Sequence, residues 1–388
     1  MVIVGFFCVW LLINFLTAYF VPLFIPYLGF FPYREYLGDL HLPVWLYDLT
    51  NFDGMHYILI ARSGYFHYQQ AFFPLYPLII RFLSPVFNNN QLIAGLLISN
   101  LCFFTGLFIF KKYLEALKIK SFWPIIFLLA FPTSFFFQAV YTEGLFFLLF
   151  VSSLYLLKKE KYLFAGIVAI LASLTRLIGV FLILPFFIHL LEKWTNNRTS
   201  PRSKFNLGGW LWLITSPLIG LFSYCFYLWK TVGDPLFFLS SQPVFGANRS
   251  TRLILLPQVY YRYLRIFLTA QLNFQYFIAL VEIILFTFVF FVLIFDLIKN
   301  LSRFNRDYKL KIKNYSLIGL NLFSLANIVL PTLTGTLSSI PRYALFSLSF
   351  FVVLSQIKNT YVKLLIAFFF LFFHILLFSF FIQGYFIS

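Results

Sequence analysis

The sequence predicts an all-α integral membrane protein, a single polytopic domain over residues 1–388 built as a bundle of about eleven transmembrane helices. Of its 388 residues, 61% are hydrophobic and only 11% are charged, about half the charged fraction that is usual in a soluble domain. Apolar runs of roughly twenty residues recur along the chain, and each can cross about 30 Å of hydrocarbon. Because lipid offers no hydrogen-bond partner to the backbone, these runs are expected to be helical.

The apolar runs are interpreted as eleven spans in chain order. The fifth and sixth are short, and we expect a helical hairpin that is broken at Thr175 and Arg176. No internal repeat at a fixed period is present, which disfavours a transporter built from inverted repeats. The expected spans cover residues 2–25, 91–110, 121–137, 143–157, 162–175, 177–191, 208–228, 276–298, 315–331, 343–357 and 364–384.

Lysine and arginine are divided unevenly between the two sides of these spans. Five loops on one side hold 15 of the 16 Lys, whereas nine of the 13 Arg lie on the other side. The positive-inside rule places the lysine-rich side and the N-terminus in the cytoplasm. The net charge of +17 is therefore explained by topology, and no nucleic-acid partner is expected. An arginine-rich outer face suits a phosphate-bearing ligand, although arginines also anchor helices at lipid headgroups.

Two large loops lie on this outer, extracytoplasmic side. The first, at about 27–90, is rich in Tyr, Trp, Pro and His, and it is amphipathic enough to carry helices that lie in the membrane interface. The second, at about 230–275, opens with Gly233-Asp234-Pro235 and carries four arginines. We expect the functional site on this face.

Asp53 is the strongest candidate for a catalytic residue. It lies in the first outer loop, followed by Gly54 and an apolar stretch with helical character. A carboxylate at a membrane face is energetically unfavourable unless it is used, and here it could act as a general base on an acceptor hydroxyl. The alternative is an N-cap, a role that aspartate fills well. His56 and Tyr57 would lie on the same helix face and could orient the acceptor or the carboxylate.

A series of short motifs spread over most of the chain carries a family resemblance. In chain order they are Phe52-Asp53-Gly54-Met55-His56-Tyr57, Ile60-Ala61-Arg62-Ser63-Gly64-Tyr65, Ala71-Phe72-Phe73-Pro74-Leu75-Tyr76-Pro77, Phe131-Pro132-Thr133-Ser134-Phe135-Phe136, Tyr141-Thr142-Glu143-Gly144-Leu145, Ser173-Leu174-Thr175-Arg176, Gly233-Asp234-Pro235-Leu236 and Ile340-Pro341-Arg342-Tyr343. Together they resemble the PIG-V-like mannosyltransferases, a family that contains the second mannosyltransferase of GPI-anchor synthesis and prokaryotic relatives.

The resemblance implies a GT-C fold, with Asp53 as the catalytic aspartate of the first outer loop. It also implies a polyprenyl or dolichyl phosphate mannose donor and inversion at the anomeric carbon. The chain departs from the family where Phe52 replaces the usual tryptophan and where Gln69 or Gln70 stands at a common acidic position. These departures leave the sugar and the acceptor open. The acceptor could be a glycolipid, a polymer or a protein.

With the family in view, further polar residues acquire expected roles. Arg176, beside the broken helix, and Arg342, after a proline at an outer helix start, are expected to hold the donor phosphate, which gains charge as the glycosyl bond breaks. Their alternative role is snorkelling to headgroups. Glu143 could bind a sugar or acceptor hydroxyl, or pair with an arginine. Asp234 could bind the substrate or serve the turn before Pro235.

Several motifs of other enzyme classes are missing from the sequence. There is no Asp-x-Asp motif, no Walker A motif and no Gly-x-Gly-x-x-Gly loop, and the five His show no metal-binding spacing. We therefore expect an enzyme without a metal or cofactor, in a prokaryotic plasma membrane as judged from its small size and short loops. The alternative is a transporter or flippase of lipid-linked sugars, which would need buried charge along the whole path across the membrane.

Overall fold

The computed structural model describes residues 1–28, 37, 42–197, 207–245, 249–250, 252–306 and 315–387. In these ranges every regular element is a helix, so the predicted all-α class is confirmed. The α-helices, in chain order, are α1 (Val2–Phe20), α2 (Val44–Asp48), α3 (Asp53–Ser63), α4 (Leu75–Leu83), α5 (Gln91–Ala116), α6 (Trp123–Ala130), α7 (Glu143–Lys158), α8 (Tyr162–Thr175), α9 (Ile183–Asn197), α10 (Leu207–Val232), α11 (Phe237–Ser240), α12 (Leu256–Thr269), α13 (Phe274–Arg306), α14 (Tyr315–Thr332), α15 (Ile340–Tyr343), α16 (Leu348–Ser355) and α17 (Thr360–Ile382).

Seven helical segments of the described chain are long and apolar enough to cross a membrane. The protein is thus an integral membrane protein by the length and composition of its helices. Each segment overlaps one of the expected spans. The segments are Val2–Leu23, Gln91–Ala116, Leu177–Thr195, Gly208–Val232, Phe274–Leu301, Tyr315–Thr332 and Thr360–Ile382.

The other four expected spans form shorter helices, so the described residues do not reach the expected count of eleven. The span at 121–137 is divided into α6 and the 3₁₀ helix Ser134–Phe137. Helices α7, α8 and α16 have 16, 14 and 8 residues. At 1.5 Å per residue, α16 is only about 12 Å long, far less than the hydrocarbon thickness. Of these helices, α16 is buried along most of its length.

Helices α5 and α7 pack with their backbones in direct contact. A Cβ atom at Gly144 would overlap the carbonyl oxygen of Ser99, so only glycine permits this approach. The hydroxyl of Tyr76 in α4 reaches the same point, donating to the Gly95 carbonyl at 3.0 Å and lying 2.7 Å from Ser99 Oγ. The contact holds the N-terminal end of α7, and with it Glu143, against the first-loop helices.

The chain reverses between α7 and α8 through residues 159–161. As a result the N-terminus of α7 and the C-terminus of α8 lie at the same end of the bundle. The first-loop helix α3 and the short helix α15 meet them there, since Gly54 approaches the Val140 carbonyl and Thr133 donates to the Pro341 carbonyl at 2.7 Å. Four stretches of sequence far apart in the chain therefore converge at one place.

Candidate active site

A cavity of about 600 Å³ opens where these four stretches converge. Five of the residues singled out in the sequence line it: Asp53, Tyr57, Arg176, Asp234 and Arg342. The other two candidates, His56 and Glu143, do not line it. The cavity thus brings Asp53 together with Arg342, which lies 289 positions away in the chain.

Asp53 is the first residue of α3, and Phe52 occupies the N-cap position without a side-chain capping bond. The alternative interpretation of Asp53 as an N-cap is therefore wrong. The negative charge in the first helical turn is instead favoured by the helix dipole. Phe52 has φ 60°, which is unusual for an aromatic residue, and its buried ring packs against those of Phe381 and Phe386. This packing fixes the backbone that presents Asp53 to the cavity.

Asp53, Arg342, Glu143 and Arg176 form a continuous series of ion pairs, which we call the charge array. Arg342 Nη1 donates to Asp53 Oδ2 at 2.7 Å, and Arg342 Nε lies 2.8 Å from Glu143 Oε1. The same Glu143 oxygen accepts a hydrogen bond from Arg176 Nη1. Of the two interpretations of Glu143, the pairing with arginine is the one that the structure shows.

The charge array is closed off on the Glu143 side and open on the Asp53 side. Glu143 is fully buried, whereas the Asp53 side chain retains 25% exposure. Aromatic rings cover the guanidinium groups: Arg342 lies over Phe136 and Tyr141 at 5.3 and 5.2 Å. Guanidinium groups stack favourably on such faces. A molecule in the cavity can therefore reach Asp53 but not Glu143.

Arg176 reaches the charge array because α8 ends one residue earlier. It adopts an extended conformation with φ −152° and ψ 144°, and a 3₁₀ helix follows at Leu177–Leu182. The predicted break at Thr175 and Arg176 is confirmed. The break turns the guanidinium towards α7, where Nη1 also donates to Thr142 Oγ1 at 2.9 Å.

The surroundings of Asp53 favour its ionised form. Burial raises the pKa of the carboxyl, but the charge and hydrogen bond of Arg342, together with smaller contributions from His56 and Arg249, outweigh burial and hold the pKa below its usual value of 3.8. Asp53 is consequently a carboxylate at neutral pH. It can accept a proton, although its basicity is reduced by the same arginine that positions it.

His56 lies next to the cavity but is not among its lining residues. Its Nδ1 atom is 3.2 Å from Gln69 Nε2, and its ring stacks on Phe72 with the ring centroids 5.1 Å apart. Burial lowers the pKa of the imidazole, although Asp53 acts in the opposite direction. His56 is therefore neutral at pH 7 and supports the wall of the cavity through Phe72.

Tyr57 presents its hydroxyl to the cavity. The ring packs edge-on against Phe72 and Tyr76, and the hydroxyl has no hydrogen-bond partner in the part of the chain that the structure describes. Burial, followed by the charges of Asp53 and Glu143, raises the pKa of the phenol well above 10. Tyr57 can therefore donate a hydrogen bond to a ligand beside Asp53.

Asp234 makes a turn contact and also lies on the wall of the cavity. Its Oδ1 atom accepts a hydrogen bond from the backbone N–H of Leu236 at 2.9 Å, which is the turn role expected before Pro235. It also lines the cavity. One carboxylate oxygen thus serves the turn.

Two arginines that the sequence did not single out as site residues, Arg249 and Arg252, also line the cavity. The only sequence feature that pointed to Arg249 and Arg252 was their place among the nine arginines of the predicted outer face. It did not distinguish them from Arg262, whose guanidinium donates to the Gly335 carbonyl at 3.1 Å and fixes the loop. In the same described ranges, no group of three or more His, Cys, Asp or Glu is placed to hold a metal ion.

Comparisons of the chain with protein-family models, with curated proteins and with solved structures each find no match.

Proposed function

We propose that the protein is an inverting glycosyltransferase that moves a sugar, with mannose as the first candidate, from a polyprenyl or dolichyl phosphate to an acceptor hydroxyl. The observation that carries the proposal is the Asp53 carboxyl group on the wall of a cavity shared with Arg176, Arg249, Arg252 and Arg342. A base beside a set of guanidinium groups suits the transfer of a group away from a phosphate.

In this proposal Asp53 takes the proton of the acceptor hydroxyl while the hydroxyl oxygen attacks the anomeric carbon. The bond between that carbon and the phosphate oxygen breaks, and both of its electrons leave with the prenyl phosphate. Attack from the face opposite the phosphate inverts the anomeric configuration. Arg176 and Arg342 donate N–H groups to the departing phosphate, whose negative charge grows as the bond breaks. Tyr57 donates to a sugar or acceptor hydroxyl.

The walls of the cavity fit a donor with an anionic head and an apolar chain. Beside the arginines they include Leu236, Leu239, Leu253 and Phe386, all of them exposed large apolar side chains. A prenyl chain can pack along such a surface, whereas a nucleotide sugar has no apolar chain that would contact it. The acceptor is a glycolipid, a polymer or a protein. The lysine distribution supports a site on the extracytoplasmic face with the N-terminus in the cytoplasm. The small size and short loops favour a prokaryotic plasma membrane.

The decisive experiment compares native protein with Asp53→Asn in purified form, using a panel of prenyl-phosphate sugars and candidate acceptors. Transfer is followed by mass spectrometry of the product and by NMR of the new linkage. Asp53→Asn keeps the size of the side chain and removes the base, so we expect the rate to fall by about 10²–10⁴. Glu115→Gln makes the same chemical change at a carboxylate of a predicted cytoplasmic loop, paired with Lys111 at 3.6 Å, and should keep the native rate.

The same experiment separates an enzyme from a flippase. A flippase would leave every sugar on its carrier, and translocation of the carrier in liposomes would continue in Asp53→Asn. Full transfer activity in Asp53→Asn would remove the base assignment. Retention of configuration in the product would remove the single-displacement mechanism.

A further inference from the structure

The charge array has no net charge. Its two guanidinium groups, on Arg176 and Arg342, are balanced by the carboxylates of Asp53 and Glu143. The arginines that face the donor in the proposed reaction therefore offer hydrogen-bond donors but no surplus positive charge. A phosphate entering the cavity needs that charge from elsewhere, because a desolvated anion without a counter-charge is strongly disfavoured.

Neither Arg249 nor Arg252 forms an ion pair with a carboxylate among the residues that the structure describes, although the charge of Arg249 contributes to the lowered pKa of Asp53. The Arg249 guanidinium donates to neutral oxygens only, from Nη1 to Gln242 Oε1 at 2.8 Å and from Nη2 to Ser339 Oγ at 3.0 Å. Arg252 donates a hydrogen bond through its backbone N–H, to Ser250 Oγ at 3.0 Å. Both side chains line the cavity.

Backbone hydrogen bonds of Ser250 and Ile254 hold these two arginines in place. The Ser250 N–H donates to the Thr334 carbonyl at 2.8 Å, and the Ile254 N–H donates to the Leu333 carbonyl at 2.9 Å. Arg249 also contacts Ser339, three residues before Arg342. The positive pair is thus fixed to the same loop, between α14 and α15, that delivers Arg342 to Asp53.

We propose that Arg249 and Arg252 form the phosphate subsite of the cavity, which takes the monophosphate headgroup of a prenyl lipid. The charge array holds Asp53 ionised and oriented and offers N–H donors to the departing phosphate oxygen, but it supplies no net positive charge. This division of labour rests on the proposed glycosyl transfer. It assigns the charge recognition of the donor to the loop before α12, and Leu253 in that loop adds an apolar surface for the first prenyl units.

Binding of a prenyl monophosphate without a sugar tests the subsite independently of catalysis. The protein is placed in phosphatidylcholine nanodiscs, and Kd is measured for farnesyl phosphate, for farnesol and for inorganic phosphate. Arg249→Gln and Arg252→Gln should each weaken farnesyl phosphate binding about tenfold, as expected for a lost charge-assisted hydrogen bond. The double variant should bind farnesyl phosphate no better than farnesol, while its affinity for farnesol stays native and shows that the cavity is folded.

The matched control is Arg265→Gln, which removes the same charge from an exposed position of α12 outside the cavity. It should bind farnesyl phosphate as the native protein does. A native preference for farnesyl phosphate in the double variant, or an equal loss in Arg265→Gln, would overturn the subsite. Competition by inorganic phosphate as strong as that by farnesyl phosphate would overturn the lipid assignment.

These outcomes distinguish the subsite from the proposed function. If Arg249 and Arg252 carry the binding of farnesyl phosphate but no prenyl-phosphate sugar is consumed, the subsite stands and the transferase proposal fails. If sugar transfer proceeds at the native rate and KM in the double variant, the transferase proposal stands and the subsite fails.

Discussion

Nη1 of Arg342 lies 2.7 Å from Oδ2 of Asp53, although 289 positions separate the two residues in the chain. The contact is the main reason why a mostly buried carboxyl group stays ionised. Burial alone would raise the pKa of Asp53, and Arg342 lowers it below its usual value. The activity of Asp53 as a base should therefore depend on Arg342 in a way that pH can reveal.

The first prediction concerns the pH dependence of transfer. The pKa of Asp53 lies below 3.8, so the rate should not fall through protonation of Asp53 between pH 7 and about pH 5. In Arg342→Gln the burial remains and the guanidinium is gone, so the pKa rises above its usual value. The acid limb of kcat/KM should then move to higher pH. Arg342→Lys, which keeps the charge, should restore most of the native profile.

The control for this profile is Arg265→Gln, which should show the native acid limb. A purely structural role for Arg342 would lower the rate equally at every pH, and this result would contradict the prediction. The free energy of unfolding should also fall at acid pH. The ion pair stabilises the native state above pH 3.8, and this contribution is lost as the pH falls through the lowered pKa of Asp53.

The second prediction concerns Glu143, whose Oε1 atom is shared by two guanidinium groups. Glu143→Gln leaves Arg176 and Arg342 close together in a buried place without the carboxylate between them. Breaking a buried ion pair from one side destabilises proteins by about 3–5 kcal/mol, so the apparent unfolding temperature should fall by many degrees. Asp53→Asn, at the exposed end of the charge array, should lower it much less. Equal losses in the two variants would contradict this ranking.

Single residues of the site could be predicted because polar groups stand out in an apolar chain. Asp53 and Arg176 are charges in places where charge is unfavourable, and the break at Arg176 follows from two adjacent spans that are too short. The charge array could not be predicted. It depends on how α3, α7, the end of α8 and α15 meet, and nothing in the sequence near Glu143 shows that two arginines share it.

The limits of the fold prediction have a similar cause. Hydropathy identifies apolar runs, but it does not show whether a run is one helix or two short ones. The run at 121–137 contains Pro132, and α6 ends two residues before it, at Ala130. Enclosure by neighbouring helices lets such broken segments stay buried, since the backbone groups freed at the break find partners within the protein.

The third prediction concerns the hydroxyl of Tyr57. Tyr57→Phe removes one donor and keeps the ring that packs against Phe72 and Tyr76, so the thermal stability should stay native. If the hydroxyl binds the sugar or the acceptor, KM for that substrate should rise about tenfold, while binding of farnesyl phosphate is unchanged. Steady-state kinetics with each substrate varied in turn identifies which of the two it contacts. An unchanged KM for both would exclude the contact.

The fourth prediction concerns the backbone contact that places Glu143. In Gly144→Ala the added methyl group meets the Ser99 carbonyl oxygen, and because that oxygen belongs to the backbone of α5, the two helices must move apart. Overpacking of this kind usually destabilises a protein by about 1–3 kcal/mol. It should also lower the transfer rate, since a shift of α7 moves Glu143 and with it both guanidinium groups.

Gly5→Ala is the matched control for Gly144→Ala. A Cβ atom at Gly5 in α1 meets nothing within 4 Å, and alanine is the better helix former by up to about 1 kcal/mol. Gly5→Ala should therefore keep the native transfer rate and an unfolding temperature that is equal or slightly higher. If Gly144→Ala behaved in the same way in both measurements, α5 and α7 would not be in the contact described, and the placement of Glu143 between the two arginines would need another cause.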